Sequence, residues 1–148
     1  MLANDRKRWL PTVLLLGGLY FAIGIGFAAF ARWSASDSLR VTWNRLAFMA
    51  SAVAFLAHLS YERFRLRSSP RMTALHLSAA VALGAFALAL SANIHDLASP
   101  SGYRPRMLVA LIAWPVLTAV PAFIVALAVA AGLRLMTKDD GPVKSNIV

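Results

Sequence analysis

A short basic segment between two long apolar runs constrains this chain more than any other feature. Glu62, Arg63, Phe64, Arg65, Leu66, Arg67, Ser68, Ser69, Pro70 and Arg71 follow one another, with four arginines in close succession. Before them, residues 46–59 carry no acidic or basic residue other than His58. After them, residues 72–94 carry none other than His76. About 20 apolar residues in a helix cross the roughly 30 Å hydrocarbon layer of a bilayer. A chain with this pattern folds with its apolar runs in a membrane and its arginines on one side of it.

Composition agrees. The chain is 59% hydrophobic and 14% charged, with a net charge of +9 over 148 residues. Soluble domains are nearer 45–50% apolar and 25% charged. A basic balance in a soluble protein would suggest nucleic acid, but here the charges sit in short stretches between apolar runs. They point to membrane topology and anionic headgroups as partners, not to nucleic acid. There is no cysteine, so disulfides, thiolate metal sites and thiol nucleophiles are excluded.

The expected architecture is all-α: an integral membrane protein whose four transmembrane helices form an up-down-up-down bundle. The transmembrane domain is expected over residues 1–136, with spans at about 10–32, 41–61, 71–94 and 106–134. Residues 137–148 read as a polar, disordered tail. Pro11 suits a first helical turn. Span one also resembles a secretory signal, with a small-x-small site at Ala29, Phe30 and Ala31, but its apolar stretch is too long for a signal core. Asp37 or Ser38 is the expected cap of span two. Ser69 and Pro70 read as cap and first residue of span three. Arg45 near the start of span two can snorkel to the headgroups.

Placing the N-terminus inside puts ten of the 15 Lys and Arg residues on inner segments. Arg63, Arg65, Arg67 and Arg71 supply the largest share. Both termini are therefore expected in the cytoplasm, and the protein in a cytoplasmic membrane. The same arginines are the candidates for contact with anionic lipid headgroups.

Helices associate within lipid through close approach at small residues. Gly18, Ala22 and Gly26 form such a row in span one and are expected to face another helix. Thr118, Ala122, Ala126 and Ala130 form one in span four. Span three offers Ala80 with Gly84, and Ala85 with Ala89 and Asn93. Pro115 and Pro121 withdraw hydrogen-bond donors from the carbonyls of Leu111 and Leu117, so span four is expected to kink there.

No motif of hydrolytic, phosphate-binding or zinc-protease chemistry occurs, and the chain is expected to be non-enzymatic. All six acidic residues fall at span ends or in loops. That argues against a proton-coupled exporter, which usually needs a carboxylate within the membrane. His58 and His76 lie on neighbouring spans at similar depth, a spacing compatible with axial ligation of haem b. His95 and Asp96 read as the end of span three. The leading expectation is an accessory or structural subunit of a membrane complex, with no cofactor. The alternatives are a haem-b-binding anchor of an electron-transfer complex, using His58 and His76, and a small oligomeric transporter or channel.

Overall fold

The computed structural model describes residues 2–65, 68–98 and 106–136, with side chains over 9–65, 68–98 and 107–133. Arg67 and the tail at 137–148 lie outside the described residues. The described residues form four α-helices: α1 (Leu2–Arg32), α2 (Asp37–Ser60), α3 (Pro70–Leu97) and α4 (Arg106–Met136). A five-residue π-helix, Tyr61–Arg65, extends α2.

Three helices contain stretches long and apolar enough to cross a membrane: Trp9–Arg32, Pro70–Leu97 and Met107–Leu133. These mark an integral membrane protein. α2 is not among them. Its first turns carry Asp37, Arg40, Asn44 and Arg45, so the stretch free of charge begins only at Leu46. At 1.5 Å per residue, 46–59 covers about 21 Å. The expectation of four spans thus meets four helices, of which three qualify by apolarity and length.

Local signals account for the helix starts. Ser36 caps α2, its side chain accepting a hydrogen bond from the Leu39 amide at 3.3 Å. The cap therefore falls just before Asp37, which sits in the first turn where a negative charge suits the helix dipole. Ser69 caps α3 by accepting from the Met72 amide, with Pro70 at the head of the helix, as its sequence indicates. α4 continues through Pro115 and Pro121 without interruption. Thr118 Oγ1 donates to the carbonyl of Trp114 at 2.9 Å on the same stretch.

α3 is the central helix. It packs most extensively on α4 and next on α1, whereas α2 lies mainly on α1 and meets α3 sparingly. Trp9 stacks on His76 and Tyr20 lies against Gly84, so α1 and α3 run parallel. Asn93 reaches Met107, while Ala74 and Leu77 share a cluster with Ala126, so α3 and α4 are antiparallel. Phe27 and Phe30 meet Trp43, and Val13 shares a cluster with Ala54 and Phe55, which makes α1 and α2 antiparallel. The N-terminal end of α1, the π-helix and the C-terminal end of α4 consequently gather at one end of the bundle.

The small-residue rows behave differently from one another. Ala80, Gly84, Ala85, Ala89 and Asn93 on α3 are buried, as are Ala126 and Ala130 on α4. The row on α1 is a correction. Gly18 and Ala22 are exposed, and a methyl group added at Gly18 or Gly26 would meet no atom within 4 Å. Gly17 and Gly24 face α3 instead. A methyl group on Gly17 would stand 2.6 Å from Leu83 Cδ2, and one on Gly24 2.6 Å from Leu88 Cδ1. The contact positions are Val13, Gly17, Tyr20 and Gly24, a seam built from steps of four, three and four. A strict step of four drifts about 40° per turn around a helix. Alternating steps hold the seam on a parallel neighbour. Tyr20 fits because Gly84 opposite it has no side chain.

Candidate functional site

Three titratable side chains meet at the end of the bundle where α2 passes into the π-helix. His58 and Glu62 are four residues apart on continuous helix, which puts both on one face. His76 comes from the second turn of α3. Its Nδ1 lies 3.1 Å from Glu62 Oε1, and His58 Nε2 lies 3.7 Å from the same oxygen. The first distance is a hydrogen bond; the second is close for a charge pair but beyond hydrogen-bond reach. Glu62 is 1% exposed and His58 3%.

Trp9 closes one side. Its ring stacks on His76 with centroids 5.5 Å apart and planes 5° from parallel. Leu59, next to His58, packs with Ala74, Leu77 and Ala126 beneath the cluster. Several polar atoms make no hydrogen bond among the described residues. They are Glu62 Oε2, both ring nitrogens of His58, the hydroxyl of Thr73, three residues before His76, and the hydroxyl of Tyr20 further along α1. Buried polar groups without partners are uncommon, and they mark places where a structure does something besides pack.

Glu62 is the residue that sequence reasoning missed. It stands within a run of arginines and reads as part of a solvated hinge. In the structure its ion pairs among the described residues are with the two histidines, not with the arginines beside it. Arg63 is half-buried and Arg65 and Arg71 are exposed. The π-helix is the cause: it carries α2 one turn beyond the apolar run and keeps Glu62 on the His58 face. Single π-helical turns recur at functional sites. Burial pushes the Glu62 carboxyl up. The His58 ring, the Ser68 side chain and the His76 ring with its charge act the other way and together hold it below its ordinary value.

His58 and His76 do converge, as their sequence positions indicate, but upon a carboxylate. Axial haem ligation needs two imidazole nitrogens facing one another across a porphyrin. Here Glu62 Oε1 stands close to both rings, and Trp9 covers a face of His76. Comparison with known protein families, curated proteins and solved structures yields no match. Among the described residues, no group of three or more His, Cys, Asp and Glu side chains is arranged to hold a metal ion. The arrangement suits holding a proton: a buried acceptor shared by two bases, shielded by an indole.

The remaining candidates are dispersed. His95 is exposed at the opposite end, beside Asp96. Asn93 Nδ2 donates to the carbonyls of Ala89 and Met107, each at 2.8 Å, and ties α3 to α4 at that end. Pro115 and Pro121 lie on α4, away from the histidine cluster in sequence and on a helix that carries no titratable side chain over 107–133.

Proposed function

We propose that this chain is a non-enzymatic four-span membrane protein serving as an accessory or structural subunit of a membrane complex. The observation that carries this reading is the position of α2. It is the least apolar of the four helices and leans mainly on α1. Its outer side leaves Asn44, Arg45, Phe48, Met49, Val53 and Leu56 exposed. Within lipid, a polar side chain such as Asn44 is stabilised by a hydrogen bond to a neighbouring helix. A helix of this kind crosses a bilayer most readily with a lateral protein neighbour.

In this reading both termini and the segment 63–71 are cytoplasmic, and Arg63, Arg65, Arg67 and Arg71 lie among anionic headgroups. Two measurements test it. Reporters inserted after Ala35 and after Ser69 should lie on opposite sides of the membrane; the same side for both would mean that α2 does not cross. Extraction in mild detergent should retain another membrane protein in fixed proportion. A chain that purifies alone as a stable monomer would end the accessory reading.

A second reading, a small proton-coupled transporter, gains support from Glu62. The sequence argument against it rests on the want of a carboxylate among the spans, and Glu62 is buried between α2 and α3. Uptake into proteoliposomes driven by a pH gradient, abolished in Glu62→Gln, would favour it over the accessory role.

A further inference from the structure

We infer that His58, Glu62 and His76 form a proton-binding site, and that the bound proton clamps the start of α1 onto α3 through Trp9.

The first argument is charge balance. An ionised carboxylate taken out of water requires an opposite charge nearby. The groups that face Glu62 can be named from each element. From α2 comes His58; from α3 comes His76, with Ser68 just ahead of its first residue. From α1 comes the uncharged Trp9, with Tyr20 about three turns further along the helix. From the π-helix, Arg63 and Arg65 make no ion pair with Glu62, and Arg71 of α3 is exposed. α4 contributes no titratable group over 107–133. Among the described side chains, only the imidazoles supply a cation. With neither protonated the cluster is an uncompensated anion; with both, an uncompensated cation. With one, the buried charge is zero, and that is the state the closed packing favours.

The second argument is the chemistry of the atoms. His76 donating through Nδ1 to Glu62 Oε1 leaves its Nε2 as a basic atom. Both ring nitrogens of His58 and Glu62 Oε2 make no hydrogen bond. A proton arriving from water forms an N–H bond on one imidazole, converts it to imidazolium and leaves the carboxylate ionised. It departs by the reverse transfer to water, with no change in oxidation state. The cluster lies at the basic end of the bundle and the His76 side chain is 13% exposed, so the route to solvent is short.

The third argument is Trp9. Its ring lies face to face with His76 at 5.5 Å. An imidazolium attracts an aromatic face more strongly than neutral imidazole does, because the ring quadrupole favours a cation. Loss of the proton weakens that stack and leaves Glu62 buried without a countercharge. Both effects loosen the first membrane turn of α1 from α3.

The test uses Trp9 as a reporter in the full-length protein in detergent, with Trp33, Trp43 and Trp114 each replaced by Phe. Imidazolium quenches a stacked indole more than imidazole does. Between about pH 5 and pH 8, Trp9 emission should rise in one step, and its quenching by acrylamide should increase with it. The step should be lost in His76→Gln, displaced to lower pH in Glu62→Gln and retained in His95→Gln. Should the tryptophan replacements disturb folding, exchange of the histidine C2 proton read by mass spectrometry serves the unsubstituted protein. Its pH profile at His58 and His76 should change in Glu62→Gln while that at His95 stays the same. Trp9 emission flat over this range, a step surviving His76→Gln, or exchange profiles indifferent to Glu62 would overturn the inference.

Discussion

α2 begins and ends with a carboxylate paired to a base, and the two pairings could hardly differ more in consequence. At its start Asp37 bonds to Arg40 one turn on, with side chains 88% and 59% exposed. At its end Glu62 pairs with His58 one turn back and with His76 of α3, and the His58 and Glu62 side chains are 0% and 1% exposed. Exposed pairs contribute little because water and salt screen them and two flexible side chains must be held still. A buried pair is different: removing one member strands the other. The spacing along the helix is nearly the same at both ends. What separates them is that α3 covers one pair and nothing covers the other.

The comparison can be broken by substitution, and the largest effect is expected at Glu62. Glu62→Ala should cost about 3–5 kcal/mol of stability in detergent, as for a buried ion pair that loses one partner. Unfolding by heat or denaturant measures it. If Asp37→Ala cost as much, burial would not be what distinguishes the two ends. Next comes Gly84→Ala. Its methyl group would lie 2.6 Å from Tyr20 Cβ and 3.0 Å from the Gly17 carbonyl oxygen, an overpacking worth about 1–3 kcal/mol. Gly26→Ala, in open space, should leave the same unfolding curve unmoved.

Asn93→Leu should cost about 0.6–1.7 kcal/mol, the range found for hydrogen bonds between membrane helices. An effect as large as that of Glu62→Ala would make the Asn93 end, not the histidine cluster, the tighter join. The acid limb of stability sharpens the picture further. The Glu62 carboxyl is held below its ordinary value of 4.5. Its contribution is therefore complete above that value and is lost as pH falls through the lower, folded-state value. The thermal midpoint should drop modestly in this acid range and the drop should vanish in Glu62→Gln. Smallest of all, Asp37→Asn should produce no resolvable change in the unfolding curve at neutral pH.

Much of the architecture was legible. Long apolar runs with basic flanks located α1, α3 and α4, because hydropathy and helix length respond to the same bilayer thickness. Ser69 and Pro70 announced the start of α3 through capping chemistry that is local. Two features were not legible, and both depend on a neighbour. Which glycines of α1 form the contact depends on the parallel run of α3, and a row of step four looks as good in sequence as the seam the protein uses. The burial of Glu62 depends on a π-helical turn followed by the return of α3. The i,i+4 spacing of His58 and Glu62 was visible, but a helix expected to end at Tyr61 gave no reason to read it.

The central place of α3 has a consequence for synthesis. Translation delivers α1 and α2 before the helix on which both depend for the closed cluster. Until residue 76 has entered the membrane, Glu62 has only His58 to pair with and no Trp9–His76 stack to shield it. The first half of the chain therefore waits, half-assembled, for the third helix to dock. A released chain that ends at Ser69, and so lacks α3 and α4, should react at Glu62 with a water-soluble carbodiimide that the full-length protein resists. Equal reactivity in both would mean that the first two helices close without help.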